Sequence, residues 1–148
     1  MSARLQSWLA LGGRMLLCVL FLFSGIGKIL HWSATADMMA AKDMPAVPFF
    51  LTMATIIEIG GGVALLLGWQ TRAAALILFL YLIPVTLVFH HFWDLQGTAQ
   101  QMQLINFLKN LAIMGGLLEL CAMGAGAFSV DARMAKSWFG RMRLWRGA

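Results

Sequence analysis

Apolar residues fall along this chain in four blocks of about twenty, separated by short stretches carrying the polar residues, Gly and Pro. About twenty apolar residues in a helix cross the hydrocarbon core of a bilayer, and backbone polar groups in lipid must bond within their own segment. The pattern therefore predicts an all-α integral membrane protein, a four-helix bundle with spans at about 11–30, 49–69, 73–92 and 104–123. Trp8 and Trp32 bracket the first span, about 36 Å apart at helical rise, a spacing that suits two membrane interfaces. Pro84 is expected to kink the third.

The connections differ in kind. Ser33 to Lys42 can form a short amphipathic helix between the first two spans, offering Met38, Met39 and Ala41 to the membrane surface and ended by Pro45 and Pro48. Gln70-Thr71-Arg72 reads as a tight turn, and Asp94 to Gln103 is polar with Gly97 as a turn. Gly124 and Gly126 break the last span. Residues 1–126 are thus expected to form the membrane domain. Residues 127–148 form a basic tail in which Trp138, Phe139, Met142 and Trp145 alternate with arginines, the pattern of an interfacial helix. Ala34-Thr35-Ala36 has the small-residue spacing of a signal-peptidase site, but Lys28, His31 and Trp32 intervene, so the first span is expected to be retained.

Composition sharpens this picture. The chain has 148 residues, 61% hydrophobic and only 11% charged, against about 25% charged in soluble domains. The formal charge is +5, with Arg133, Lys136, Arg141, Arg143 and Arg146 packed into the tail. Basic residues beside a final span read as a cytoplasmic anchor on anionic lipid. No stacking platform or motif points to nucleic acid. Arg4, Arg14, Arg72 and the tail fall on one side of the spans and Lys28, Lys42 and Lys109 on the other, so the positive-inside rule predicts both termini in the cytoplasm. Cys18 and Cys121 lie inside apolar blocks without a C-x-x-C spacing and read as small buried hydrophobes.

Ionisable residues within a span face the bundle interior and find partners. Counting from the outer ends places Glu58 about 13 Å and Lys109 about 7 Å into their spans, with Lys28 and His90 close to the outer ends. These four are expected to converge as a polar cluster in the outer half of the bundle. Arg14 and Glu119, both toward the inner half, form a candidate second pair. Small residues accompany the charges on each stripe: Gly25 with Lys28, Ala54 and Gly62 with Glu58, Ala112 and Gly116 with Lys109 and Glu119. Such residues let helices approach closely in lipid. The cluster reads in two ways, as polar contacts holding the helices in register or as a pocket opening outward. In the second, Glu58 accepts a proton or cationic group, the lysines attract an anion or quinone carbonyl, and His90 relays a proton. His90-His91 does not make a metal site, because adjacent helical positions point in different directions.

The run Phe23-Ser24-Gly25-Ile26-Gly27-Lys28 resembles the first-span motif of the DoxX family. Glu58-Ile59-Gly60-Gly61-Gly62, with Gly68, Thr71 and Arg72 after it, resembles the second. His90-His91-Phe92-Trp93 and Phe107-Leu108-Lys109-Asn110-Leu111-Ala112 resemble the third and fourth, in order and spacing over residues 11 to 123. The resemblance implies a multi-pass protein of the bacterial inner membrane, a membrane subunit associated with a redox system. It places Lys28, Glu58, His90, Lys109 and Asn110 at the positions of interest. No haem, flavin or iron–sulfur motif is present, so the cofactor implied is a bound quinone or another small molecule near Glu58 and Lys109, with a redox partner protein supplying electrons. A scaffold whose buried charges fix helix packing, and a small homo-oligomeric carrier, are the alternatives.

Overall fold

A computed structural model of the chain describes the backbone of residues 2–145 and the side chains up to Ser137. It is helical almost throughout. α1 spans Ala3–Leu30, α2 Trp32–Ala40, α3 Val47–Leu67, α4 Thr71–Phe89, α5 Gly97–Met123 and α6 Val130–Trp145. α1, α3, α4 and α5 are long and apolar enough to cross a membrane. The side chains of Trp138, Phe139, Arg141, Met142, Arg143 and Trp145, and Arg146 altogether, lie outside the described residues.

The boundaries follow local chemistry. α1 begins eight residues before its apolar block because the Ser2 side chain accepts from the Leu5 amide and caps the helix. α5 likewise takes in the polar stretch from Gly97, seven residues ahead of the apolar block. Pro48 starts α3 rather than only ending α2, because its fixed φ and missing N–H suit the first turn of a helix. Pro84 sits inside a continuous α4.

The packing is a ring. α1 lies mainly against α3, α3 against α4 and α4 against α5, while the α1–α5 seam is thin. α2 lies over α1 and α3 at one end, and Met39 is its buried residue. α6 leaves from the opposite end.

Each spanning helix buries one stripe: Arg14, Cys18, Phe21 and Gly25 on α1, and Leu51, Thr55, Glu58, Gly62 and Leu65 on α3. These spacings of three and four residues keep one face toward a neighbour. The remaining faces expose Phe23, Ile56, Ile77 and Leu87, among others, which lipid would cover. α1 and α3 approach closely at Gly25, where a Cβ would lie 2.7 Å from Ile59 Cγ1 and 3.3 Å from the Ile59 amide nitrogen. Only glycine admits the neighbouring backbone there, and this contact sets how near Lys28, one turn along, comes to Glu58.

Candidate functional site

Lys28 occupies the last turn of α1, where free carbonyls favour a cation. Glu58 lies on the buried stripe of α3 and is 4% exposed. The Lys28 ammonium donates to both carboxylate oxygens of Glu58, at 2.8 and 2.7 Å, and to Ser24 Oγ at 2.9 Å, one helical turn back. Tyr81 on α4 donates its hydroxyl to Glu58 Oε1 at 2.7 Å. One carboxylate thus joins three helices through short charge-assisted bonds. Lys28–Glu58 is the sole salt bridge among the described residues.

This triad forms part of the wall of a cavity of about 800 Å³ between α1, α2, α3 and α4. Met38, Met39, Phe50, Met53, Val85 and Phe89 make much of its apolar lining. His90 and Asn110 also reach the wall. His90 Nδ1 pairs with Gln103 Oε1 at 2.9 Å, and Asn110 donates to Thr86 Oγ1 at 3.0 Å. Both bonds tie α4 to α5. Pockets of roughly 300–1,000 Å³, apolar with a few convergent polar groups, are the usual form of a small-molecule site.

The remaining candidates lie elsewhere. Lys109 is exposed on the outward face of α5 and does not reach Glu58. Its neighbour Asn110 takes the inward position instead, because successive residues on a helix are turned by about 100°. His90 touches the cavity but bonds Gln103 rather than the carboxylate. Arg14 and Glu119 do not pair. Glu119 is exposed, whereas Arg14 is 2% exposed and donates to the carbonyls of Ala125 at 2.5 Å and Phe128 at 2.7 Å. Those carbonyls follow the end of α5, where no further helical turn can satisfy them.

Three groups escaped the reading of the sequence. Tyr81 left a signal: it is the chain's one tyrosine, lies within a span, and its hydroxyl needs a partner there. Ser24 could have been found as the residue four before Lys28. Asp131 left no motif. Its carboxylate accepts from the amides of Gln70 at 2.8 Å and Thr71 at 3.0 Å, capping α4 from a distant segment. Its own amide donates to Gly68 O at 2.9 Å. Gly68 ends α3 at φ +66°, and a Cβ there would lie 2.5 Å from that of Ser129, so glycine is required twice over. Burial pushes the Asp131 carboxyl up, but the Thr71 and Gln70 amides and the charge of Arg14 outweigh it and hold the pKa below the ordinary value.

The DoxX family model matches residues 9–91, the first three spans including Lys28, Glu58 and Tyr81. Inner membrane protein YqjF of Escherichia coli (strain K12) is 35% identical over 125 residues, covering 84% of this chain and 91% of that protein. Inner membrane protein YphA of the same strain is 31% identical over 125 residues, 84% of this chain and 89% of that protein. A eukaryotic relative, the ER-derived vesicles protein ERV29 of Saccharomyces cerevisiae, is 32% identical over 85 residues, 57% of this chain and 26% of its own. No solved structure matches the chain significantly. Four membrane-sized helices, a family match over more than half the chain and relatives covered nearly end to end make this protein a multi-pass inner-membrane member of the DoxX family.

Proposed function

We propose that this protein binds a small amphiphilic molecule, a quinone of the membrane pool, in the cavity beside Lys28, Glu58 and Tyr81, and serves as the membrane subunit of a redox system. The observation that carries the reading is an ion pair and a tyrosine hydroxyl in the wall of a cavity whose lining is mostly apolar. A quinone is a ring with two carbonyl acceptors on an apolar chain. Lys28 and Tyr81 stand at one place in the wall, where a quinone carbonyl would compete with Glu58 and Ser24 for their hydrogens, and the methionines and phenylalanines supply an adaptable surface for the chain. In this reading the protein binds and orients the quinone, and electrons arrive from a partner protein.

The test is titration of a short-chain quinone into the purified protein, wild type against Lys28→Met/Glu58→Gln. This pair of substitutions removes both charges together and leaves no lone ion behind. Affinity in the variant should fall by at least about tenfold, the worth of one charge-assisted hydrogen bond. Equal affinity in both proteins would sink the site.

A second reading has an observation in its favour: the three donors of Lys28 are already taken within the protein. A scaffold in which the triad only holds α1, α3 and α4 together would use its groups in this way. Under that reading the double variant changes the melting temperature and leaves no ligand affinity to lose. Orientation is part of the proposal. Eight basic and two acidic residues belong by chain position to the α6 end of the bundle, and three basic and four acidic to the α2 end. This supports an α6 end in the cytoplasm, with both termini there. A reporter fused to the C-terminus and active only in the cytoplasm tests it.

A further inference from the structure

We infer that α6 is an electrostatic lipid anchor, held at the level of the membrane surface and seated on an anionic leaflet. The argument starts from where the bundle places it. Asp131, in the first turn of α6, is bound to the amides at the start of α4 and to Gly68 O at the end of α3. Arg14 holds the two carbonyls that precede this turn. Ser129 is 5% exposed and bonds both Gly126 O and the Ala132 amide. The helix is therefore not a free tail; its first turn is fixed at the α6 end of the bundle.

The same level carries Trp8, 54% exposed and packed on Phe128 with ring centroids 4.7 Å apart, and Trp69, 49% exposed. Exposed tryptophans at one end of a membrane bundle mark the headgroup region. A helix leaving that level has lipid headgroups beside it.

Its composition fits that surface. In the sixteen residues Val130–Trp145, Val130, Met134, Trp138, Met142 and Trp145 recur at helical spacing. Arg133, Lys136 and Arg143 fall on the opposite arc of the helical wheel, with Phe139 at its edge, while Arg141 falls at the Val130 side of the stripe, where a long side chain can reach the headgroups. Arg133, Met134 and Lys136 are exposed, not folded back on the bundle. Asp131, the acid of this helix, is already neutralised by the start of α4. An apolar stripe opposite a cationic arc is the form that lies in the plane of a membrane interface. The cations select anionic headgroups, and each is worth about a fivefold change in partition.

The full chain is placed in nanodiscs of zwitterionic lipid alone and of the same lipid with a third anionic phosphatidylglycerol, and backbone amide exchange is followed over residues 130–145. Exchange should slow by about tenfold or more in the anionic discs, return toward the zwitterionic rate at high salt, and lose most of its lipid dependence in Arg133→Gln/Lys136→Gln/Arg143→Gln, which keeps only Arg141 and Arg146 of the tail's cations. The charge-preserving Arg133→Lys/Arg143→Lys protein should behave as wild type. Equal exchange in the two lipids would overturn the inference. So would protection that appears only with two copies per disc, which would make α6 a protein-binding helix instead.

Discussion

The two ends of this bundle bury charge in different ways. At the α6 end, Arg14 is enclosed by backbone: its partners are carbonyls left over from the end of α5, and the chain from Ala125 to Asp131 closes around it. At the α2 end, Lys28 and Glu58 are satisfied by one another and by Tyr81 and Ser24, and they face a cavity. A charge held by backbone carbonyls cannot exchange partners without moving the fold. A charge held by side chains in a cavity wall can. The first arrangement is a structural knot, and the second is where a ligand could compete.

Substitutions can break that contrast. The largest effect on stability is expected at the knot. Arg14→Met leaves the buried Ala125 carbonyl and the part-buried Phe128 carbonyl without their donor, at a cost of about 4 kcal/mol for two charged hydrogen bonds. It should give the lowest thermal unfolding midpoint in detergent. If Arg14→Met unfolds at the wild-type temperature, the distinction between the two ends fails.

Next comes Lys28→Met, which strands the Glu58 carboxylate with only a tyrosine, at about 3 kcal/mol. Adding Glu58→Gln should recover most of that loss, because a neutral amide needs no counter-ion. No equivalent second substitution should rescue Arg14→Met, whose partners are main-chain atoms. Recovery, measured as the difference in midpoint between single and double variants, separates a side-chain pair from a backbone knot.

Tyr81→Phe removes one hydrogen bond to Glu58 and should cost about 1 kcal/mol. Lys109→Met, on the outward face, should change the unfolding free energy by less than about 0.5 kcal/mol. The comparison of the two substitutions checks which α5 and α4 residues belong to the cluster.

A further small effect is confined to acid pH. The Asp131 carboxyl is held below its ordinary value, so its stabilisation is present above a pH of about 4 and is lost as pH falls through the folded-state value. Asp131→Asn should therefore flatten the acid limb of the unfolding curve by under about 1 kcal/mol, since the group is partly exposed and screened. An unchanged acid limb would remove Asp131 from the knot.

Neighbouring residues show how far the sequence reaches. Lys109 and Asn110 are both polar and stand side by side in the chain's fourth apolar block. Asn110 turns inward to Thr86 while Lys109 faces out. Arg14 and Glu119 lie at similar depth by counting, yet the arginine is drawn to a loop that no periodicity marks. Gly25, by contrast, was legible as a small residue on the charged stripe, and α1 and α3 pack closely there.

By itself, the sequence determined the four spans, the amphipathic connection, the concentration of positive charge toward one end and the short list of charges within the spans. All of these are local, set by hydropathy and helical period along one segment. Only the tertiary structure decided which of those charges meet. The rotation of each helix about its axis and its height against its neighbours come from side-chain packing and close glycine contacts, and a shift of one residue turns a side chain by about 100°. That freedom brought Tyr81 into the cluster, left Lys109 and Glu119 outside it, and gave Arg14 to the backbone.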